Sequence, residues 1–397
     1  MERRPLVIIG AGPAGSASAL FLRRADPALA TEALVLDKAC HPRPKVCAGG
    51  LIPHTLHSLR ELEVALDVPH IVVHRAHVDI PQRTVTYEDR DLCRVVRRAE
   101  FDHALVAAVR ARGMTVRDGE KVVDVRRDGS GVRIETERES YQARIVVGAD
   151  GAGSLVRRRL VTAGRDCVGK AVMCDVPLRD IAWNGADRAR YDFSFAAVPT
   201  GLRGYTWVFP CLIDGVPHAN VGAYDLAASG RGALLQQALA AELDRLHAPR
   251  VALKAFPIRW YGRGVRIAAP HVLLAGDAAG VDPLMGEGIS FAFEYGRRAA
   301  AAVTRAFAKQ SFDFADYETA VARSWMGVKL RRLELATRLF YGPTWRLWFA
   351  LAGSSRQAQD LGIRWYNGVD GWDQRGGREA LRAWWRGELR PAAPAPP

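Results

Sequence analysis

The chain has 397 residues, of which 49% are hydrophobic and 25% charged, as is usual for a globular protein with a sizeable core. Its formal net charge is +13, but the arginines are dispersed and no nucleic-acid motif accompanies them, which disfavours a nucleic-acid partner. No apolar leader precedes the first motif and no apolar run approaches the ~20 residues that span a bilayer, so we expect a cytoplasmic protein. The six scattered cysteines form no C-x-x-C pair, so we expect neither disulfides nor a bound metal.

The first predicted elements form a strand–turn–helix unit. An apolar strand over 6–9 leads into three glycines at G-x-G-x-x-G spacing, namely Gly10, Gly12 and Gly15. This spacing allows a tight turn, lets the backbone approach a pyrophosphate, and places the phosphates at the N-terminus of a helix over 13–24. A second strand over 33–36 ends at Asp37, where a ribose acceptor is expected. The pattern predicts a dinucleotide site and leaves open whether it binds NAD or FAD.

The next hundred residues combine a loop, strands and a helix. A stiff basic loop over 38–53 would hold Cys47 beside the nucleotide site. Alternating apolar and polar residues predict a strand pair over 70–97, followed by an amphipathic helix over 99–112. Three further short strands, over 115–116, 122–125 and 132–136, are predicted to form a β-meander.

Two later strands each deliver an aspartate at their carboxyl end. The strand over 141–147 leads to Asp150-Gly151 and a helix near Ser154, which builds either a second ribose or anion contact or a plain helix cap. The strand over 272–275 leads to Asp277 and a glycine-rich turn. Asp277 could accept from a sugar-like hydroxyl, and the turn offers backbone N–H groups to an electron-rich ring before a helix over 289–307.

Between these two strand ends, the sequence from about 168 to 258 is rich in strands and predicts an inserted antiparallel sheet with one helix over 232–246. Tyr205, Trp207 and Phe209 alternate along one strand and therefore share a face of that sheet. Large aromatic residues in this arrangement belong either to the core or to the wall of an apolar pocket.

Taken together, Gly10-x-Gly12-x-x-Gly15, Asp150-Gly151, Gly276-Asp277 and Arg98 resemble the fingerprints of the p-hydroxybenzoate-hydroxylase-like FAD enzymes. Within that superfamily the chain resembles the geranylgeranyl reductase family. The resemblance rests on three stretches, Lys45-Val46-Cys47-Ala48-Gly49-Gly50 (with Ala48 for the usual glycine), Tyr205-x-Trp207-x-Phe209-Pro210 with Asn220-Val221-Gly222, and Gly286-Glu287-Gly288-Ile289. It implies an α/β fold, with a Rossmann-like FAD-binding domain, an inserted antiparallel β-sheet domain for the substrate and a C-terminal helical region.

The resemblance also implies roles for individual residues. FAD would be held by Gly10, Gly12, Ala14, Gly15, Asp37, Cys47, Ala48, Arg98, Val122, Asp150, Asp277, Gly286, Gly288 and Ile289. In that set Asp37 takes the adenosine ribose, Asp277 the ribityl chain, and Gly288 with Ile289 the N1–O2 edge of the flavin. Cys47 is the candidate catalytic residue as a proton donor, although its thiol could equally be a packing group. The substrate pocket would be lined by Tyr205, Trp207 and Phe209.

The implied domain limits are a discontinuous FAD-binding domain over 1–69, 94–162 and 264–312, and a substrate sheet over 70–93 and 163–263. A helical region over 313–390 and a disordered Pro-Ala tail over 391–397 follow. The helical region holds seven of the ten tryptophans, namely Trp325, Trp345, Trp348, Trp365, Trp372, Trp384 and Trp385. We expect its helices to pack over the substrate domain; the alternative is a peripheral contact with the cytoplasmic face of a membrane.

The leading functional hypothesis is reduction of carbon–carbon double bonds in an isoprenoid (geranylgeranyl-type) chain by hydride transfer from reduced FAD. No second G-x-G-x-x-G is present, so the electrons would come from NADPH that visits transiently or from a reduced carrier protein such as a ferredoxin. The alternatives are an FAD-dependent monooxygenase or hydroxylase of an aromatic or polyketide substrate, a flavin halogenase, and an FAD-bound binding protein without turnover.

Overall fold

The computed structural model describes residues 1–81, 83–129, 131–161, 167–186, 189–227 and 232–354, together with residues 359 and 366. Its helices are α1 (Pro13–Ala25), α2 (Pro27–Glu32), α3 (Pro53–Glu61), α4 (Arg98–Ala111), α5 (Leu155–Leu160), α6 (Gly232–Arg245), α7 (Ile289–Lys309), α8 (Tyr317–Arg323), α9 (Trp325–Phe340) and α10 (Trp345–Ser354). Its strands are β1 (Glu2–Ile9), β2 (Leu34–Leu36), β3 (Gly50–Leu51), β4 (His70–Ile80), β5 (Arg83–Val96), β6 (Thr115–Arg117), β7 (Val122–Asp128), β8 (Gly131–Thr136), β9 (Ser140–Gly148), β10 (Val168–Pro177), β11 (Arg190–Ser194), β12 (Gly204–Ile213), β13 (Val216–Asp225), β14 (Lys254–Arg259), β15 (Ala268–Ala269) and β16 (Val272–Leu274).

The first sheet supplies the edge on which the site is built. Its strand order is β15-β16-β9-β1-β2-β6, and β8 and β7 continue from β9. The four strands β16, β9, β1 and β2 run parallel, so their carboxyl ends meet at one edge of the sheet. The apolar run predicted over 6–9 is the buried end of β1, and α1 begins directly after it. The strand-end motifs of the sequence therefore converge at this edge.

One predicted pairing in this sheet is wrong. The strand over 115–116 was expected in a meander with its successors, but β6 pairs in parallel with β2, and Val116 lies opposite Val35. The reason is that α4 precedes β6 and returns the chain to the sheet as a parallel crossover. The meander consists of β7, β8 and β9, joined by antiparallel pairs.

The second sheet has the strand order β14-β10-β13-β12-β11-β4-β5-β3. Its pairs are antiparallel, as expected, except that β4 and β11 run parallel. The helix α6 covers one face, where Thr206 donates to the Glu242 carboxylate at 3.1 Å and Val208 joins a buried apolar cluster. Because side chains alternate along a strand, Tyr205, Trp207 and Phe209 lie on the opposite face.

The described C-terminal helices pack on the protein body: α10 contacts the substrate sheet, as predicted, whereas α9 also contacts α3, which lies outside the predicted substrate domain. The buried face of α9 includes Met326 and Leu330, and the Trp325 ring at its start meets the His54 ring of α3 edge-on at 4.5 Å. Phe349 of α10 contacts Phe195, just after β11, at a centroid distance of 5.3 Å. Within the described residues, no helix is both long enough and apolar enough to cross a membrane. The predictions for Trp365, Trp372, Trp384, Trp385 and the tail over 391–397 lie outside the described residues.

Candidate functional site

A cavity of about 840 Å³ opens at the carboxyl edge of the first sheet and extends to the aromatic face of the second. It brings together most of the predicted site residues, namely Gly10, Gly12, Ala14, Asp37, Cys47, Ala48, Arg98, Val122, Asp150, Tyr205, Trp207, Phe209, Asp277, Gly286, Gly288 and Ile289. Gly15 does not line it. A Cβ at Gly15 would lie 1.7 Å from the Gly10 carbonyl oxygen, so Gly15 acts by letting α1 pack directly on the first turn.

Asp37 ends β2 as a buried carboxylate. Its Oδ2 accepts from the Ala11 N–H at 2.7 Å, and its Oδ1 accepts from the Ala39 N–H at 2.9 Å. Burial alone would raise the pKa of Asp37, but these hydrogen bonds, with the nearby His41 and Arg43, lower it below its ordinary value. The carboxylate is therefore ionised and held between the first turn and the loop after β2.

A buried ion pair supplies positive charge to the cavity. Arg98 donates two hydrogen bonds to Asp102, at 2.7 and 2.9 Å, and Arg43 reaches the same carboxylate at 3.2 Å. Asp102 is fully buried behind the two guanidinium groups, both of which line the cavity. The i,i+4 spacing of Arg98 and Asp102 on a helix was a signal for the pair, but no role was predicted for Asp102 or Arg43.

Asp150 leaves one acceptor without a partner. Its Oδ2 accepts from the Leu155 N–H at 2.6 Å and the Val156 N–H at 3.2 Å, at the start of α5. Its Oδ1 is buried and has no hydrogen-bond partner among the described residues. Burial raises the pKa of Asp150 despite these bonds. A bound molecule with hydroxyl groups would donate a hydrogen bond to this buried acceptor on the cavity wall.

The third strand end places Asp277 beside the turn that opens α7. A Cβ at Gly288 would lie 3.4 Å from the Asp277 Oδ1, so the carboxylate and the start of α7 are close neighbours. Lys45, for which no role was predicted from sequence, also lines the cavity, with its Nζ 2.9 Å from the centroid of the Phe256 ring. Burial lowers the pKa of Lys45 to about 8, although Asp277 acts in the opposite direction.

The aromatic face forms the other part of the cavity wall, and its residues also belong to the buried core. The rings of Phe193 and Phe209 lie 5.3 Å apart, those of Phe193 and Tyr205 5.4 Å, and those of Tyr205 and Trp207 6.0 Å. Gly222, opposite Trp207 on β13, makes room for the indole, because a Cβ there would lie 2.1 Å from the ring. The role of Phe193 on β11 was not recognised from sequence.

Cys47 lies in the loop between these two parts of the cavity wall. It is half-buried, and its Sγ accepts from the Gly49 N–H at 3.4 Å. The loop then enters β3, where Gly50 packs against Phe209, since a Cβ there would lie 3.2 Å from that ring. Cys47 thus lines the same cavity as the polar wall, formed by Asp37, Arg98, Asp150 and Asp277, and the aromatic wall, formed by Phe193, Tyr205, Trp207 and Phe209.

The residues present fit FAD. A helix N-terminus with Arg98 and Arg43 suits a pyrophosphate, and the carboxylates of Asp37 and Asp277 suit ribose and ribityl hydroxyls. The partnerless Oδ1 of Asp150 is an acceptor that such a polar ligand would fill.

Comparison with known proteins agrees with this geometry. A family model described as an FAD binding domain matches residues 3–209, more than half of the chain. A menaquinone reductase of Mycolicibacterium smegmatis is 32% identical over 328 residues, which cover 76% of each chain. A digeranylgeranylglycerophospholipid reductase of Methanopyrus kandleri is 30% identical over 312 residues, 74% of each chain.

Solved structures share the fold. A geranylgeranyl bacteriochlorophyll reductase-like protein from Thermoplasma acidophilum superposes with a TM-score of 0.74 at 20% identity, covering 95% of this chain and 99% of that one. A flavin-dependent brominase superposes with a TM-score of 0.72 at 18% identity, covering 97% and 100%. The site, the family model and the relatives agree, and the chain belongs to the geranylgeranyl reductase family of FAD-dependent oxidoreductases.

Proposed function

We propose that this oxidoreductase reduces carbon–carbon double bonds in an isoprenoid chain of geranylgeranyl type or in a related lipid. The observation that carries the proposal is the shared cavity, in which the aromatic wall of Phe193, Tyr205, Trp207 and Phe209 continues from the residues that fit FAD. A hydrocarbon chain has no polar groups that could form hydrogen bonds, so exclusion of water and contact with such a wall must hold it. The names of the two relatives support the proposal, because menaquinone and digeranylgeranylglycerophospholipid both carry isoprenoid chains.

In this reaction FAD, when bound and reduced, supplies the hydride. The protein's own part is to hold one double bond of the chain in place and to keep water away from it. Trp207 and Phe209 are buried and packed against neighbouring rings, so they offer the chain a preformed surface. Their burial in a sheet that α6 covers from behind favours a preformed pocket over one that assembles on binding.

Cys47 is the proton donor in this proposal. Its thiol lines the cavity where the polar and aromatic walls meet, and one proton from Sγ to the second carbon completes the addition of two hydrogens. Lys45 lies two residues away on the same loop and is a second acid on the cavity wall. Replacing Cys47 by Ala should lower kcat and alter its pH profile, whereas Cys47→Ser should retain more activity. If Lys45→Met alone changed the profile, the proton would be assigned to Lys45.

We further propose that electrons reach the flavin from NADPH or from a reduced carrier protein such as a ferredoxin. Anaerobic mixing of the oxidised holoprotein with each donor, followed by flavin absorbance, distinguishes them.

We also propose peripheral contact with anionic membranes, since the proposed substrate is a lipid and the chain carries a net charge of +13. Co-sedimentation of the full-length protein with anionic but not neutral vesicles would support that contact.

An anaerobic reaction tests the central proposal. The photoreduced holoprotein is mixed with a geranylgeranyl lipid in the absence of oxygen, and flavin reoxidation is followed by absorbance while mass spectrometry follows the lipid. We expect reoxidation together with a lipid that has gained two hydrogens. The matched control is the lipid with the same head group and a fully saturated chain, which should leave the flavin reduced.

The rival activities give different results in the same experiment. A monooxygenase or halogenase would leave the flavin reduced until oxygen enters, and the product would then carry oxygen or halogen. A binding protein without turnover would show no lipid-dependent reoxidation under either condition. Either result would refute the reductase proposal.

A further inference from the structure

The loop before α7 is held by tyrosines from three separate parts of the chain. Residues 283–285 present three consecutive carbonyl oxygens, and each accepts a hydrogen bond from a tyrosine hydroxyl. The pairs are Tyr224 with Pro283 at 3.3 Å, Tyr341 with Leu284 at 2.8 Å, and Tyr205 with Met285. Tyr205 lies on β12, Tyr224 on β13, and Tyr341 directly after α9.

Asp282 makes further hydrogen bonds within the same loop. Its carboxylate accepts from the Leu284 N–H at 2.7 Å, and its backbone oxygen accepts from the Gly286 N–H at 3.2 Å. Its own N–H donates to the Glu287 carbonyl at 3.3 Å. The peptide planes over 283–286 are therefore fixed through both their carbonyl and their N–H groups before the chain reaches Gly288 and α7.

The three hydroxyls are suited to this task. The side chains of Tyr205, Tyr224 and Tyr341 are at most 7% exposed, so water competes little for the carbonyl groups. Burial raises the pKa of each phenol far above neutrality, which keeps each one a donor. Since a carbonyl and the following N–H share one rigid peptide plane, fixing the carbonyl also fixes the direction of the N–H.

We propose that Tyr205, Tyr224 and Tyr341 form a clamp that positions the 283–288 loop against FAD. The clamp makes the C-terminal helical region, through Tyr341, a part of the cofactor site, and it gives Tyr205 a second role besides lining the substrate pocket. All three are positioning residues, because their hydroxyls act on the loop and the loop meets the cofactor. The proposal rests on FAD binding and holds whatever the substrate is.

Single Tyr→Phe variants test the clamp, since they keep each ring and remove only the hydroxyl. The matched control is Tyr191→Phe, because the Tyr191 hydroxyl is also buried in the second sheet but has no hydrogen-bond partner among the described residues. In Tyr205→Phe and Tyr341→Phe we expect amide hydrogen exchange over 284–288 to become about fivefold faster, as the loss of one net hydrogen bond implies. The absorption spectrum of bound FAD should shift, and its dissociation constant should rise, while Tyr191→Phe matches the wild type.

The proposal is overturned if these variants lose thermal stability but keep the wild-type FAD spectrum and loop exchange, because the hydroxyls would then be purely structural. A measurement on the wild type guards against variants that fail to fold. A clamp that positions the loop must form before FAD binds, so the amides over 284–286 should be protected in protein stripped of FAD. If they exchange freely there and become protected only when FAD binds, the clamp does not position the loop.

Discussion

The indole of Trp207 is fixed in the cavity wall by a chain of buried hydrogen bonds that a single substitution can break. Its Nε1 donates to the Asn220 Oδ1 at 2.8 Å, and the Asn220 amide donates to the Asp175 Oδ1 at 2.7 Å. Arg97 then donates to both oxygens of Asp175, at 3.0 and 3.2 Å. Asn220 is fully buried, so no water replaces its bonds.

The variant Asn220→Leu keeps the approximate volume and removes both bonds. The indole N–H is left buried without a partner, which costs about 1–3 kcal/mol, while Asp175 keeps Arg97 and loses less. We therefore expect the free energy of unfolding to fall by about 3 kcal/mol, with a larger KM for the proposed isoprenoid substrate because the ring of Trp207 is no longer fixed. Urea unfolding followed by far-UV circular dichroism measures the free energy of unfolding, and steady-state kinetics measure the KM.

A double-mutant cycle with Trp207→Phe isolates the bond itself, because phenylalanine keeps an aromatic ring but offers no N–H. The loss caused by Asn220→Leu should shrink by about 1–2 kcal/mol in the Trp207→Phe background. Strictly additive effects, or a loss below about 0.5 kcal/mol in Asn220→Leu alone, would refute the argument that Asn220 fixes the indole.

Three further predictions concern the polar wall and the C-terminal helices. Gly15→Ala forces a Cβ to within 1.7 Å of the Gly10 oxygen, so the purified variant should contain little flavin by absorbance, whereas ordinary flavin content would contradict the close packing of α1. Burial, with Lys329 nearby, lowers the pKa of His54 to about 4, so the folded protein should lose stability as the pH falls from 6.5 through 4. His54→Phe keeps an aromatic ring but cannot be protonated, so it should abolish about 3 kcal/mol of that loss when the free energy of unfolding is measured against pH. Lys45 has a pKa of about 8 in the folded protein against an ordinary 10.5, so the free energy of unfolding of the FAD-free protein should rise by about 3 kcal/mol as the pH increases from 8 to 10.5. An equal rise in Lys45→Met would assign the effect to another group.

The parts of the site that sequence predicted are those encoded by neighbouring residues. The turn after β1, the Asp150 turn and the Asp277 turn each consist of a strand, small residues and a helix start within about a dozen positions, so local spacing defines them. Parallel strands then bring the three turns to one edge without further information. The aromatic face followed from alternation alone, since Tyr205, Trp207 and Phe209 must share a side of any strand.

The parts that sequence missed depend on residues that meet only in the folded chain. Tyr341 reaches the Leu284 carbonyl across 57 positions, and Tyr205 reaches that of Met285 across 80. A tyrosine in a helical or strand pattern carries no sign of which carbonyl its hydroxyl will find. The error over β6 has the same origin, because its short sequence fits an antiparallel partner nearby as well as the parallel partner that α4 brings within reach.

The ionisable groups on the cavity wall explain why the cofactor should also stabilise the fold. Burial lowers the pKa of Lys45 and raises that of Asp150 and Glu287, so each of these groups is less favourably charged here than in water. A wall of this kind destabilises the protein unless a bound molecule compensates these groups: the phosphates of FAD carry charge opposite to that of Lys45, and its hydroxyl groups can donate hydrogen bonds to carboxylates. Binding to the folded state alone, at a hundredfold excess over the dissociation constant, then adds about 2.7 kcal/mol to the free energy of unfolding. The groups of the polar wall therefore favour FAD binding and lower the stability of the FAD-free protein. The aromatic wall has no charge to compensate, so it should retain its shape whether or not a substrate is present.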